Sequence, residues 1–429
     1  MSTSKTIECQ LAIIGRGMAG MASAFFAARR GISAISIGVT GGTIFGSGFL
    51  DLMGVHPVEE NKSWRDPWAA IDDLIKDIPH HPYARVKKKG IRIAFEEVLS
   101  FLKEENLPYY RCEERNIEMI TPLGTLKQTY CVPHTMVNGV RALEKKCPCL
   151  IIGFRGLNDF SAHQIVATLQ EKWPDLRATT ISFPNADHVD ELFPGEIMAQ
   201  TLEVSNNRKR LIQTLGPHIK DAQAVGMPAL LGMHRSHEIV DELEDKIGAT
   251  VFEIPTMPVS VPGLRLNDAF ARHLSLKGIR HYSQSRVLKV TNGPKGRFVL
   301  SIGNKKSEYT VRANGIILAS GRFGGGGLYA DRQRIRESLF DLPVSQPKDR
   351  SMWHRENFLD SRGHPANQAG IEVDDLFRPL DSSGQPAFER LFVAGSILAH
   401  QDWMRMKCGS GLAIATAFAA VNAFLQING

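Results

Sequence analysis

Two groups of residues in this 429-residue chain have types and spacings that could do chemistry. The first is Gly15-Arg16-Gly17-Met18-Ala19-Gly20, set between an apolar, β-branched stretch at 7–14 and a helix-forming stretch at 21–30 that Gly31 closes. In a strand–turn–helix context each glycine has its own task. Gly15 permits the sharp turn, Gly17 lets a phosphate approach the backbone, and Gly20 lets helix and strand pack closely. Met18 and Ala19 open the helix, whose free N–H groups and partial positive charge face an anion. The second group is His400, Arg405 and Lys407. An alcohol oxidation needs a base for the hydroxyl proton, and His400 is the candidate. Arg405 and Lys407 could hold an anionic substrate or stabilise added negative charge. The competing reading puts all three on an exposed, solvated loop.

The usual partner of the glycine motif is missing. A carboxylate about 20 residues on should accept hydrogen bonds from ribose hydroxyls, yet no Asp or Glu occurs between Glu8 and Asp51. Ile37, Gly38 or Val39 stands in its place. Three readings follow: another group holds an FAD ribose, a shorter flavin such as FMN binds, or the ribose carries a 2′-phosphate met by Arg16, Arg29 or Arg30.

The elements that must position these residues form an α/β pattern. Residues 7–14, 21–30 and 32–38 read as one β-α-β unit, followed by helical patterns at 69–78 and 86–105. A second α/β style follows, with strands at 149–153, 178–183, 227–232 and 250–254 and helices at 161–171 and 237–247. Short strands at 281–290, 297–302, 308–311 and 315–319 come next, with hairpin breaks at Asn292-Gly293 and Gly303-Asn304. Two later glycine turns should join the first: Ala319-Ser320-Gly321, and Gly395-Ser396 after a strand at 390–394. Cys408-Gly409-Ser410-Gly411 then opens a long apolar helix, whose N-terminus would lower the Cys408 thiol pKa unless that thiol is buried. Three such turns in this order separate a flavin site from a nicotinamide site. The expected fold is an FAD/NAD(P)-binding Rossmann-like domain of glutathione-reductase type, residues 1–60 plus 263–429, split by an inserted α/β cap domain at 61–262.

Composition excludes other classes. At 43% apolar and 22% charged residues the chain can bury a core, so general disorder is excluded. A formal charge of +6 without a Lys/Arg block gives no nucleic-acid signature. Six cysteines without a C-x-x-C pair argue against an intrinsic iron–sulfur cluster or zinc site, and His80-His81, framed by prolines, does not make a metal pair. The N-terminus shows no signal-peptide core. Residues 412–425 fall short of a spanning helix, so a cytoplasmic, at most peripherally attached protein is expected.

Several segments are more specific than any glycine motif: Gly46-Ser47-Gly48-Phe-Leu-Asp-Leu52, His81-Pro-Tyr83, Thr121-Pro-Leu-Gly-Thr-Leu126, Leu318-Ala-Ser-Gly321, Gly326-Gly-Leu328, Arg378-Pro379 and Cys408-Gly-x-Gly411. Together with Gly15–Gly20 they resemble, from end to end, the B subunit of anaerobic glycerol-3-phosphate dehydrogenase. The resemblance implies a flavin-bearing protein of a three-part complex, with FMN in this chain, and adds Ser47 and Gly48 to the expected cofactor contacts. It implies two partners: an FAD-containing catalytic subunit, which oxidises glycerol 3-phosphate, and an iron–sulfur subunit, which ties the complex to the inner membrane. The resemblance also implies that the complex delivers electrons to a quinone. The segment 399–407 departs from the family pattern, where a smaller glycine-containing loop is usual. The alternatives are a self-contained flavin oxidoreductase for a small carboxylate or phosphate, and a non-catalytic structural member of the complex with little flavin.

Overall fold

A computed structural model describes residues 5–39, 41–184 and 194–428. The chain divides into two compact units: residues 1–42, 51–98 and 270–429 form the first, and 43–50 with 99–269 the second.

The first unit is organised by strand β1 (Lys5–Ile14), whose last four residues, from Leu11, are apolar and buried. Continuous apolar sequence suits a strand flanked and covered on both sides. β1 pairs in parallel with β2 (Ala34–Gly38) and with the strand Tyr309–Leu318. The seven-stranded sheet runs Arg280–Ser283, β2, β1, Tyr309–Leu318, Phe298–Gly303, Arg286–Asn292, and Leu391–Val393 pairs with Tyr309–Leu318 off this path. The expected strands at 308–311 and 315–319 are one strand. Gly315 lies at its middle because the Phe424 ring packs where a Cβ would sit. The expected strand at 281–290 is two, broken at Gln284, whose φ is +59°.

Helix α1 (Met18–Arg29) and the C-terminal helix (Gly409–Asn428) are apolar on nearly every side and pack on the sheet. Phe26 meets Phe418 edge-on with centroids 5.3 Å apart, and Phe424 meets Phe392 at 6.2 Å. The C-terminal helix is, against expectation, long and apolar enough to cross a membrane, but two-thirds of its most apolar stretch is buried inside this unit.

Helix Pro67–Asp77, capped by Asp66, and the helical segment Pro82–Glu104, kinked at Lys87 (φ +62°), up to Val98 also belong to this unit, not to an insertion starting at 61. The reason is packing and charge: Glu97 pairs with Arg29 at 3.5 Å and Arg30 at 3.2 Å, and Arg30 reaches Asn422 at 2.8 Å.

The second unit holds a four-stranded parallel sheet in the order Thr250–Ile254, Ala224–Pro228, Cys149–Phe154, Leu176–Ile181. Its connecting helices include Ala162–Leu169, capped by Ser161, and Ser236–Ile247. Glu253 and Arg265 form a fully buried bidentate pair at 2.6 and 2.8 Å.

Candidate functional site

The register of the first unit's sheet brings three glycine turns to one edge. β1 and Tyr309–Leu318 end together at Ile14 and Leu318, and Leu318 aligns with Val393 on the far side. Ala319 N–H then donates to the Ile14 carbonyl at 2.8 Å, and Ala394 N–H to the Leu318 carbonyl at 3.0 Å. Gly15, at φ +115°, is glycine because a Cβ would overlap the Ala319 carbonyl. Gly20 is glycine because a Cβ would overlap the Gly15 carbonyl. Gly395 sits on the first turn of α1, where its Cβ would fall 2.5 Å from that of Ala19. Its N–H is held by Thr416 Oγ1 at 2.9 Å. Gly321 lies beside Ser396.

These residues fit a phosphate-bearing dinucleotide. Gly17 has open space in its Cβ direction, no side chain caps α1, and no acid occupies its first turn. The N–H groups there are thus available to an anion. Ser320 Oγ is buried with no protein partner among the described residues, a hydroxyl waiting for an acceptor. The C-terminal helix opens beside Asp51: Gly411 N–H donates to the Asp51 carbonyl at 2.7 Å, and Asp51 N–H donates to Ser410 Oγ at 2.6 Å. Gly409 is glycine because Trp403 lies 2.8 Å from where its Cβ would be.

The position of the missing carboxylate is occupied. At Gly38, the end of β2, a Cβ would meet Arg16 Cγ at 3.4 Å. Beside it on the next strand stands His281, opposite Ser36, with both ring nitrogens buried and unpartnered among the described residues. Burial, and then Arg16, lower the His281 pKa; burial lowers that of Arg16 too. Of the three arginines considered for a 2′-phosphate, Arg29 and Arg30 are committed to Glu97 and only Arg16 remains.

The loop after Gly395 separates the three candidate reactive residues. His400, held at φ +62°, hydrogen-bonds through Nε2 to Glu372 Oε1 at 2.7 Å. Burial works to raise the Glu372 pKa, but the His400 bond and charge, with Ser345 and His80, together outweigh it and hold the carboxyl low. Arg405 pairs with Asp402 at 3.3 Å and lies under Gly363. Lys407, at φ +51°, closes the short helix Trp403–Met406. Cys408 is fully buried, and burial, then Asp51 and Asp402, push its thiol up, opposite to the effect of a helix N-terminus. Ser47 and Gly48 belong to the second unit. There Ser47 Oγ accepts from Phe49 N–H at 3.4 Å, and the Gly48 carbonyl accepts from Tyr109 Oη at 2.7 Å.

Sequence reasoning missed Thr416, Gln401 and Arg322. Gln401 donates to the Ser396 and Leu398 carbonyls at 2.9 and 2.8 Å, fixing the third turn. Arg322 gathers the carbonyls of Ala366, Asn367 and Ala369, and burial lowers its pKa to about 10. Such carbonyl clamps leave no periodicity or motif. His81 is buried, its Nδ1 accepting from Tyr83 N–H at 3.2 Å. The nearest approach to a metal cluster among the described residues is His56, Asp73 and Asp77, with ligand atoms within 4.8 Å of one another. Its acids are already engaged, by His56 at 2.8 Å and Lys62 at 3.8 Å.

Fold and site together define a dinucleotide-binding α/β protein of the flavoprotein class. The sequence profile of the FAD binding domain family matches residues 10–412, and the chain belongs to that family. An expected FMN or FAD cofactor agrees with it. The chain is similar to the B subunit of a probable anaerobic glycerol-3-phosphate dehydrogenase of Halobacterium salinarum, at 29% identity over 96% of this chain and 97% of the relative. It is equally similar, at 29% identity over 97% and 96%, to the B subunit of anaerobic glycerol-3-phosphate dehydrogenase of Vibrio vulnificus. The resemblance read from the sequence therefore holds over the full length. Among solved structures, 3-ketosteroid Δ1-dehydrogenase of Sterolibacterium denitrificans aligns at 10% identity over 98% of this chain and 99% of that one. Its TM-score of 0.42 is too low to carry an argument.

Proposed function

We propose that this chain is the flavin-bearing B subunit of a quinone-linked anaerobic sn-glycerol-3-phosphate dehydrogenase complex. In this reading it passes electrons onward, or completes the assembly, beside two partners. One is an iron–sulfur subunit, through which the complex is attached peripherally at the cytoplasmic side of the inner membrane. The other is an FAD-containing catalytic subunit. The observation that carries the reading is the uncapped, acid-free N-terminus of α1 at the meeting point of three glycine turns, in a chain whose relatives bear that name over their whole length. A bound flavin supplies reversible hydride and electron transfer. Around it, Gly17, Met18 and Ala19 offer backbone N–H groups to its phosphate. Gly321, Ser396 and Gly395 supply turns without bulk. Gly409 and Gly411 let the C-terminal helix begin close by, where its dipole favours added negative charge.

The test is to purify the chain alone and co-expressed with candidate catalytic and iron–sulfur partners. Expected are a yellow chain with FMN or FAD released by acid, and glycerol-3-phosphate:quinone activity only in the assembled complex. A colourless, folded chain, with the two partners active in its absence, would overturn the reading. The His400–Glu372 pair favours a second reading, a self-contained flavin oxidoreductase for a small carboxylate or phosphate, with His400 as base. Reduction of the flavin in the isolated chain by glycerol 3-phosphate would select that one.

A further inference from the structure

Apart from the glycine turns, the first unit has a cavity of about 340 Å³ formed by the segment 345–369 and His400. That volume is at the lower end of the range for small-molecule sites. Its lining is polar and cationic: Ser345, Arg355, Arg362, His364, Gln368 and His400.

The roles of these side chains can be sorted by their bonds. His364 is a strut. Its Nδ1 accepts from Arg355 N–H at 3.1 Å, so Nε2 carries the proton and donates to the Phe358 carbonyl at 3.0 Å. Both ring nitrogens are thereby used within the loop, and His364 shapes the wall. Arg362 is tied to Asp360 by two bonds, at 2.9 and 2.6 Å. Ser345 leans on Glu372. Glu372 in turn fixes His400 through Nε2, and His400 Nδ1 has no protein partner among the described residues. Gln368 is exposed and its amide makes no side-chain bond there.

Arg355 is the exception. Its Nε donates to the Gly363 carbonyl at 3.0 Å, which orients the guanidinium without neutralising it. Asp360 is near enough to feel its charge, but that carboxylate bonds to Arg362. Arg355 makes no ion pair with a carboxylate among the described residues. A half-buried guanidinium, fixed in orientation, unpaired and facing a polar cavity, is an arrangement completed by an anion.

We propose that this cavity is a binding site for a small oxyanion, a phosphate monoester or a carboxylate, gripped by Arg355 and supported by the Gln368 amide and His400. The two ligand types share the chemistry the site reads, two or more oxygens carrying negative charge. The inference shares His400 and its ligand class with the second reading above and deepens it, but its test reads anion binding and not flavin reduction, so the two can fail separately.

The experiment titrates inorganic phosphate, glycerol 3-phosphate and succinate separately into the full-length chain, by calorimetry. Arg355→Gln and Gln368→Glu are run in parallel, with unfolding midpoints recorded for each. Saturable binding of at least one probe is expected, weakened roughly tenfold or more by Arg355→Gln, the size expected for one charge-assisted hydrogen bond. Gln368→Glu places a negative charge in the cavity at an exposed side chain without structural bonds, and is expected to abolish binding at an unchanged midpoint. This second variant decides the matter if Arg355→Gln fails to fold. Tighter phosphates support a phosphoryl ligand, and tighter succinate a carboxylate. No saturable binding of any probe, or binding that both substitutions leave intact, overturns the proposal, whether or not the chain carries flavin.

Discussion

Gly17 and Gly20 lie three residues apart in one motif, yet the structure gives them opposite tasks, and substitution by alanine separates them. At Gly17 the backbone has φ −76° and ψ −175°, which alanine adopts freely, and an added methyl meets no atom within 4 Å. Stability should therefore change by less than about 1 kcal/mol, the usual size of an N-cap or glycine-to-alanine effect. The methyl does enter the space through which a phosphate reaches the α1 N–H groups. Losing one charge-assisted hydrogen bond is worth about 1.5–3 kcal/mol, so flavin binding should weaken about 10- to 150-fold. At Gly20 the methyl would overlap the Gly15 carbonyl oxygen, a main-chain atom that no rotamer change can move. Overpacking of that kind costs about 1–3 kcal/mol or more. Urea unfolding of the apo chains, together with FAD and FMN titrations followed by flavin fluorescence, reads both quantities. If Gly17→Ala bound flavin like the wild type, or Gly20→Ala kept full stability, the assignment of phosphate approach to the first and packing to the second would be refuted.

Three further expectations follow from buried groups. In the second unit, burial alone would raise the Glu253 carboxyl pKa, but Arg265, Thr135 and the Leu231 N–H outweigh it and hold it below its ordinary value. Glu253 therefore contributes stability above the unfolded carboxylate pKa that is lost as pH falls below it. Arg265→Met should cost about 3–5 kcal/mol in urea unfolding, much of it regained when Glu253→Leu is added; an additive double mutant would contradict this. His81 has its pKa pushed down to about 3 by burial, then by His56 and His400. The unfolded chain thus binds a proton between about pH 6.5 and 3 that the folded chain refuses, so stability falls with pH across that window. His81→Phe should flatten the slope there, and an unchanged slope would show that His81 protonates in the folded state. Cys131, Cys149 and Cys408 are fully buried, and thiol labelling should reach them only after unfolding; rapid modification of Cys408 in the native chain would show that the start of the C-terminal helix opens.

The parts of the fold that were legible in the sequence are those in which one short segment carries its own instructions. The apolar run of β1, the glycine turn and α1 need only neighbouring residues to specify them, and the alternating strands and helices of the second unit follow the same logic. The boundary at 61 was not legible, because the helices Pro67–Asp77 and Pro82–Glu104 are assigned by what they meet. Glu97 must find Arg29 and Arg30, and Gly90 must pass Phe418, contacts that no local pattern announces. The candidate site divides the same way. Gly15, Gly20 and Gly395 were readable as glycines with a task. The split between His400, which lines a cavity, and Arg405, which pairs with Asp402 and reaches the Asp360 carbonyl, depends on Glu372, Asp402 and the segment 345–369. For Cys408 the expected dipole effect was real physics set against a larger opposing one, since desolvation of a fully buried thiol acts against ionisation more strongly than a helix terminus favours it.

The end of β2 shows how an absence in the sequence becomes a positive feature of the structure. A carboxylate there would ordinarily face ribose hydroxyls from the tip of the strand. Gly38 instead has the backbone and stem of Arg16, the second residue of the glycine motif itself, packed at 3.3 and 3.4 Å from where a Cβ would sit. The motif thus fills its own partner's position. Restoring an acid at residue 38 would crowd its Cβ against Arg16 at a φ of +155°, so the two positions are coupled, and His281 on the neighbouring strand adds a second nitrogen-bearing group. Burial lowers the pKa of both Arg16 and His281, and the Arg16 charge lowers that of His281 further. Two basic groups that are both partly desolvated form a locally positive end to β2.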